Sequence, residues 1–500
     1  MDQVPTAVHR FLEGAEHGDW DGFEQHLTPD ARSCWATAGD RAVCQGPNEI
    51  VQDLHQRWGR GTNGSATRRV HHHGDSVVVA FEGVRDGGAE PLRGTHTFSL
   101  HDGRIASLTT TVERDLVGVA RQLGPALAAG AEESDRAGRL ARPSLAALRD
   151  AGLLRLYVPR ALGGLEVDPL SHAQVQEELA RHDSAAAWIL QAVGSSAWWC
   201  SRLPAEAVDD IYATGPDQVI AVSFAEPVEA EPVDGGLRIS AQRSFASNVS
   251  DASWIWLTAV ANSDRELAHA NGAPVVRAVF FPASDARVVP TWDTLGMRGS
   301  DSNDVAVDGI VVPERRSFRL GIDHTPGPRY DSPLYRLPAV VTVASYVPAV
   351  ALGVARAAID DVMAMAADRT PFASTTRLAE RATAQAKLGR AEGALRSARA
   401  YLHDRIGWAW EQTLAGRELT LDERAEVLLA CVQAHAASVA AVDLAYSIAG
   451  TAGIHRRHRL ERLFRDVNVL RHQGFVSESR FETVAQVWLG LPPDLAFIAL

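Results

Sequence analysis

The strongest constraint on this chain is the order in which its periodicities change after Asp115. From there to about Ala213 the sequence is rich in Ala, Leu, Arg and Glu at helical spacing. From about Gln218 to Phe318 it becomes a series of alternating or continuous apolar runs, "QVIAVSFAE", "GLRISAQRSFASN", "SWIWLTAVA", "VVRAVFFPA" and "NDVAVDGIVVPE", punctuated by Gly, Asp and Pro. From about Leu337 onward, long Ala-rich helical stretches return. Strands gathered between two helical blocks point to α+β architecture with segregated layers, not to a parallel sheet wound with helices. Neither a GxGxxG after a strand nor a GxxxxGK[ST] is present to mark a dinucleotide or triphosphate site.

The residues before Asp115 follow a different plan. Val8, Phe11, Leu12 and Ala15 have the spacing of one helical face, and Gly18-Asp19-Trp20-Asp21 reads as a turn into a second short helix that ends at Thr28-Pro29-Asp30. Strands are expected over Ser76–Phe81 and in a hairpin of Thr95–Leu100 and Arg104–Thr111, turning at His101-Asp102-Gly103. Period-two alternation puts His96 on the face of Phe98 and Leu100, where it is a candidate to line a pocket. The triplet His71-His72-His73 alternates faces, so its side chains cannot converge on one metal, and it is read as structural.

A chain of 500 residues, 46% hydrophobic, is long enough for two to four domains around large cores. Cys34, Cys44, Cys200 and Cys431 show neither CxxC pairing nor His companions at ligand spacing, which indicates no disulfide framework and no metal site and fits the cytoplasm. The N-terminus lacks a basic flank followed by an apolar core, and no uninterrupted apolar run reaches membrane-spanning length, so secretion and membrane spanning are not expected. A formal net charge of -13 argues against nucleic acid as partner. The basic stretch His455-Arg456-Arg457-His458-Arg459, with Arg462 and Arg465, is read as a solvated or interface helix end, with docking of an anionic cofactor or substrate as the alternative.

Four segments, in order, carry a family resemblance. They are "AGLLRLYVPRALGGLEVDPLSHAQVQEELARHDSAAAW", "RSFASNVSDASW", "WDTLGMRGSDSNDVAVDGIVVPE" and "DRTPFASTTRLAERATAQAKLGRAEGALRSARAYL". Residues from about 116 to the end resemble the acyl-CoA dehydrogenase superfamily, and within it the class D, two-component flavin-dependent monooxygenases. The first region, through "HGDWDGFEQHLTPDAR" and "LRGTHTFSLHDGRIASL", resembles the SnoaL-like, nuclear-transport-factor-2-like cone. The domain plan this implies is 1–114 SnoaL-like, 115–215 helical, 216–325 β-barrel-like and flavin-contacting, and 326–500 a C-terminal four-helix bundle.

The resemblance also implies a site. Phe245, Ala246 and Ser247 fall where dehydrogenases place a Trp-Ile-Thr or Trp-Ile-Ser stretch against the flavin ring, with Ser247 as the hydroxyl near N5. Ser223, Phe224 and Ala225 match the first flavin loop. Arg369 and Phe372 match an Arg-x-x-Phe that grips the cofactor's phosphate end in a neighbouring subunit, and Gly450 and Thr451 match a turn that approaches the same cofactor, which together imply a homotetramer. Trp188 and Trp292 are candidate walls of a substrate pocket. At the position where many dehydrogenases carry a carboxylate base, downstream of Arg465-Asp466, this chain has Gly474, although Glu478 is one turn further on if a helix continues. Class D enzymes often read Gln-His in this segment, where the His can polarise or deprotonate the substrate; here the order is His472-Gln473, and because one residue on a helix is about 100° of rotation, both His472 and Gln473 are candidates for the catalytic direction.

The function so implied is that of a monooxygenase component. It takes FADH2 or FMNH2 from a separate NAD(P)H-flavin reductase and, with O2 and through a C4a-hydroperoxyflavin, hydroxylates or N-/S-oxygenates a small molecule, by analogy one in secondary-metabolite or antibiotic biosynthesis. An acyl-CoA dehydrogenase, and a tailoring enzyme with cyclase or isomerase chemistry in its SnoaL-like domain, are the alternatives.

Overall fold

The helical face that begins at Val8 becomes α1 (Thr6–His17), with Ala7, Val8, Phe11, Leu12 and Ala15 buried along it. The computed structural model describes residues 4–36, 41–58, 67–73, 76–84, 91–261, 264, 275–323 and 325–500. It divides into two compact units, Met1–Gln122 and Leu123–Leu500.

In the first unit α1 is followed by β1 (Leu27–Ala36), β2 (Arg41–Gln45), α2 (Pro47–Trp58), β3 (Thr67–His73), β4 (Ser76–Val84), β5 (Pro91–His101) and β6 (Arg104–Arg114). The strands form one sheet in the order β2-β1-β6-β5-β4-β3. Only a 3-10 turn, Phe23–His26, stands where a second short helix was expected, and Thr28-Pro29-Asp30 lies inside β1 instead of ending that helix. Pro29 is tolerated there because the pairing of β1 with β6, which is parallel, shifts between Leu27 and Arg32. The β5–β6 hairpin turns through Asp102 and Gly103, both at positive φ (50° and 75°), the geometry an Asp-Gly pair favours. Trp20, fully buried, closes on Gly14, where an added Cβ would lie 2.7 Å from the indole ring. The strand holding His71-His72-His73 is present as β3, but the side chains of the triplet fall outside the described residues.

The second unit has three blocks. Helices come first: α3 (Leu116–Ala137, which starts before the boundary between the units), α4 (Arg142–Asp150), α5 (Pro169–Ala180), α6 (Ser184–Trp199) and α7 (Ala205–Ile211). Strands follow as β7 (Ile220–Val233), β8 (Gly236–Arg243), β9 (Trp254–Ala261), β10 (Arg277–Pro282), β11 (Arg287–Val289), β12 (Asp304–Pro313) and β13 (Ser317–Arg319), forming one sheet in the order β11-β12-β8-β7-β9-β10-β13. The last block holds α8 (Tyr346–Asp368), α9 (Ala382–Leu414), α10 (Leu421–Ala449), α11 (Arg459–Leu470) and α12 (Arg480–Trp488). Two of the quoted family segments prove less regular than strands: Ser244–Ser253 is a loop with one 3-10 turn, and Trp292–Asn303 is a loop preceding β12.

Two helical stretches, Val340–Asp368 and Leu421–Ala452, are long and apolar enough to cross a membrane, yet 94% and 67% of their most apolar windows are buried inside the protein. They are core helices. A π-helical turn, Val340–Ala344, leads into α8. Helix α8 meets α5 at Gly353, where an added Cβ would sit 2.2 Å from the Glu177 carbonyl oxygen. In α9, by contrast, a Cβ at exposed Gly389 meets nothing within 4 Å. Replacement of Gly353 by Ala is therefore expected to cost about 1–3 kcal/mol through overpacking. Replacement of Gly389 by Ala is expected to stabilise by roughly 0.5–1 kcal/mol through helix propensity. Thermal melts of the two variants should move in opposite directions.

Candidate active site

A cavity of about 630 Å³ opens where the sheet of the second unit faces its helices. Five segments contribute most of its lining. Helix α6 contributes Trp188, Gln191, Ser195 and Trp199; the β7 region contributes Val222, Phe224, Ala225 and Glu226; the two loops contribute Phe245, Ser247, Trp292, Thr294, Met297, Ser300 and Ser302; and the chain after α11 contributes His472, Gln473, Gly474 and Phe475. Apolar and aromatic surface dominates, with a few convergent polar groups, the usual composition of a small-molecule site.

The β7 side exists because that strand breaks its pairing. Its register with β9 is interrupted between Ser223 and Val228, which turns Phe224, Ala225 and Glu226 toward the cavity. Arg243 satisfies carbonyls freed by the break, donating from Nε to Glu226 O at 2.9 Å and from Nη2 to Pro227 O at 3.3 Å. Ser223 is buried and donates to Ser244 O at 2.7 Å, binding the strand to the loop. Phe224 makes edge and tilted contacts with Trp256, Phe475 and Phe497, each at 5.9 Å.

The loops are held in uncommon backbone states. Phe245, Asn248, Met297 and Asp301 all take positive φ (66°, 55°, 53° and 49°), each a conformation that costs energy and persists only where the surroundings impose it. Asn248 N donates to Ser300 O at 2.8 Å and Ala246 N to Asn303 O at 3.0 Å, so the loops clasp each other. Buried Asp301 accepts from Ser250 N, Ser250 Oγ and Asn303 Nδ2; burial raises its carboxyl pKa while those donors oppose the shift.

At the centre lies a hydrogen-bonded chain. Trp188 Nε1 donates to Ser247 Oγ at 2.9 Å; Ser247 and Ser302 hydroxyls are 2.8 Å apart, as are those of Ser302 and Ser300. The indole can only donate, so one lone pair of Ser247 is always taken. When the serine protons point toward Ser247, its own proton is left for a ligand; when they point away, its second lone pair accepts from one. The hydroxyl thus serves a ligand atom that donates as well as one that accepts.

A buried carboxylate fixes this loop to the helices. Asp466 accepts from Ser184 Oγ at 2.5 Å and from Met297 N at 2.6 Å, and burial raises its pKa. Beside it Arg465 pairs with Asp135 at 2.9 Å and donates to Leu295 O at 2.8 Å. Asp183 caps α6 by accepting from Ala185 N at 2.9 Å, and burial pushes its carboxyl up to about 6.

Of the residues singled out from sequence, Trp188, Phe224, Ala225, Phe245, Ser247, Trp292, His472 and Gln473 meet at this cavity. Ser223 and Ala246 do not line it; Ala246 is fully buried in the sheet core. The rotation expected between His472 and Gln473 on a helix does not arise, because α11 ends at Leu470 and both residues occupy a turn facing the cavity. For the same reason Glu478 is not one helical turn beyond Gly474, and it is not among the lining residues. Space is open at Gly474, where an added Cβ would meet nothing within 4 Å.

Arg369, Gly450 and Thr451 gather elsewhere, at the ends of α8 and α10. Arg369 donates to Ala449 O at 2.9 Å and to Thr451 Oγ1 at 3.3 Å, and Phe372 is fully exposed. His96, in the first unit, is 2% exposed, stacked on Phe81 at 4.5 Å and bonded through Nδ1 to Thr110 Oγ1 at 2.9 Å. It is packed among aromatic rings in the core and is not open to solvent. Sequence reading missed Ser300 and Ser302, although their alternate spacing in "RGSDS" ahead of a strand was a usable signal.

Comparison with known proteins gives the family. Family models for the acyl-CoA dehydrogenase N-terminal and C-terminal domains match residues 114–203 and 345–477, and a SnoaL-like domain model matches 8–108. Indole-3-acetate monooxygenase of Pseudomonas putida is 32% identical over 364 residues, spanning 72% of this chain and 90% of that protein. The chain belongs to the flavin-dependent monooxygenases of acyl-CoA-dehydrogenase fold. The oxygenase component of an FADH(2)-dependent resorcinol hydroxylase from Rhizobium sp. matches this monooxygenase at 26% identity, over 76% of this chain and 95% of that one. The solved structure of XiaF from Streptomyces sp., in complex with FADH2 and glycerol, superposes with a TM-score of 0.71 at 25% identity, covering 76% of this chain and 96% of XiaF. The dehydrogenase alternative is set aside by these relatives, in keeping with Gly474.

Two outcomes follow for variants of this monooxygenase. Because Asp183 has a folded pKa of about 6, above its ordinary 3.8, its contribution to stability is fully present below the lower value and is lost as pH rises through the upper one. Asp183→Asn, which keeps the cap acceptor, should remove up to about 3 kcal/mol of that pH dependence, read as the wild-type-minus-variant difference in urea unfolding between pH 4 and 7. Ser302→Ala should cut the hydroxyl chain without stranding the Trp188 N–H. The expected cost is about 0.5–1.5 kcal/mol of stability, roughly the net worth of one hydrogen bond, measured by urea unfolding.

Proposed function

We propose that this protein is the oxygenase component of a two-component system, using FADH2 and O2 to place one oxygen atom on a small aromatic molecule held in the cavity. A separate NAD(P)H-flavin reductase supplies the FADH2. The observation that carries the proposal is the serine chain ending on Ser247 inside an aromatic-walled cavity of about 630 Å³. The residues fit a flavin: a ring system needs apolar walls, and its N5 accepts when oxidised and donates when reduced, the two roles that the Ser247 hydroxyl alternates between. FADH2 is favoured as donor because XiaF is seen with it and the Rhizobium hydroxylase is named for it.

Reduced flavin, when bound, supplies the electron pair that activates O2. The protein's part is to bind, orient and keep water out. In this reading Trp188 and Ser302 set the direction of the Ser247 hydroxyl, which meets N5. Phe224, Ala225 and Phe245 press on the ring, and Trp292 walls the substrate side. His472 faces the substrate as the group that takes or returns a proton, with Gln473 orienting beside it. Gln473 Oε1 already accepts from Phe475 N at 2.7 Å, so its amide N–H2 is the end left to donate.

Arg369, Phe372, Gly450 and Thr451 are proposed to meet the phosphate end of a cofactor seated in a neighbouring subunit, which makes the oxygenase a homotetramer. Phe372 is fully exposed and so accessible to a neighbouring subunit. The working compartment is the cytoplasm, where NAD(P)H-driven flavin reduction takes place. The SnoaL-like unit is read as a binding or assembly module, because His96 is sealed among rings.

With indole as probe, protein and NAD(P)H alone should give no product. Addition of a flavin reductase and FAD should give a product carrying one oxygen atom that is labelled when 18O2 is used. Label arriving from water, or turnover without O2, would sink the proposal.

A further inference from the structure

The charge lining the cavity bears on which aromatic molecules it takes. Among the lining residues, all of them described, there is no Lys, Arg or Asp; Glu226 and His472 are the ionisable ones. Cations close to the lining in sequence are engaged elsewhere. Arg243 donates to the carbonyls of Glu226, Gln242 and Pro227; Arg298 pairs with Asp293; Arg465 pairs with Asp135 and Glu461. Arg471 donates to Asn468 Oδ1, and Arg202 stacks on the Trp198 ring. What remains facing the space is aromatic, chiefly Trp188, Trp199, Trp256, Trp292, Phe224 and Phe475, with an exposed carboxylate, Glu226, at the edge.

An ionised carboxylate carried into such a cavity loses its water and finds no fixed positive partner, a strongly unfavourable exchange. Glu226 adds like-charge repulsion, modest because it is exposed. A bound flavin cofactor brings a phosphate end of the same sign and so no compensation. Ammonium groups meet the opposite situation, since the faces of tryptophan rings attract cations and Glu226 complements them. Neutral rings are indifferent to all three effects. His472 offers an imidazole and not a fixed cation.

We propose that the cavity selects uncharged or amine-bearing aromatic substrates and discriminates against aromatic carboxylates, including the indole-3-acetate for which the Pseudomonas putida relative is named. This rests on the reading of the cavity as the oxygenation site and deepens it by fixing the substrate's charge class.

The test uses the full chain and three probes that share one ring: indole, tryptamine and indole-3-acetate. Their dissociation constants are measured by calorimetry at pH 7.5, with the protein alone and with FADH2 present anaerobically. Indole and tryptamine should bind at least about tenfold more tightly than indole-3-acetate. Glu226→Gln, a change at an exposed position, should narrow the gap between tryptamine and indole-3-acetate by about threefold while leaving indole unchanged. Indole-3-acetate binding as tightly as indole, or no probe binding at all, overturns the proposal, as does a Glu226→Gln variant that leaves the gap untouched. Failure of the oxygenase reading is distinguishable: indole would then bind in the expected order, yet no labelled product would form with reductase and 18O2.

Discussion

The carboxylate of Asp466 is the interaction on which the rest of the site depends. It lies in α11, fully buried, and each of its oxygens accepts a hydrogen bond from a different part of the chain: the Ser184 hydroxyl at the start of α6 and the backbone N–H of Met297 in the loop before β12. Both bonds are charge-assisted and out of water, where removal of one partner costs more than the bond itself is worth. Next to it, Gly296 lets the loop backbone touch α11, since an added Cβ there would lie 2.4 Å from the Arg465 carbonyl carbon. First helices, β loop and last helices are thereby joined at one point.

From that point the geometry of the cavity follows. The loop fixed at Met297 carries Ser300 and Ser302, and α6, fixed at Ser184, carries Trp188 one turn further along. Ser247 is met from both sides. Four residues at positive φ surround it, at about 1–3 kcal/mol each for a non-glycine residue. Such strain is sustainable only because clasping backbone bonds, Asn248 N to Ser300 O and Ala246 N to Asn303 O, leave the loops no other conformation. The same rigidity keeps the hydroxyl chain aligned in either proton direction.

How much of this could be read from sequence depended on the kind of information involved. The succession of helical and β blocks was legible because period and composition change together at Asp115, Gln218 and Leu337. Trp188, Ser247 and the His472-Gln473 pair were legible because they sit in segments with a family pattern. Their arrangement was not. The expected rotation between His472 and Gln473 presumed a helix that has already ended at Leu470, and periodicity does not place that end when the nearest glycine, Gly474, lies four residues beyond it. The conformation of the loops Ser244–Ser253 and Trp292–Asn303 was not legible, because their left-handed residues are imposed by contacts distant in sequence. Thr28-Pro29-Asp30 looked like a helix stop and proved to be a strand irregularity, since a Pro signals a break in pairing as readily as an end.

The turn after α11 bears on the proposed oxygenase reading. A carboxylate at Gly474 would project into the cavity, where an added Cβ finds open space. Without one, the imidazole of His472 and the amide of Gln473 are the polar groups that this turn brings to the cavity. Dehydrogenation needs a base strong enough to take a proton from carbon, whereas oxygenation of an electron-rich ring needs room, dryness and a mild acid-base group. The aromatic wall contributed by Phe475 and Phe224, braced in turn by Phe497 at 4.2 Å from Phe475, provides the dryness. The missing side chain at Gly474 leaves that space open.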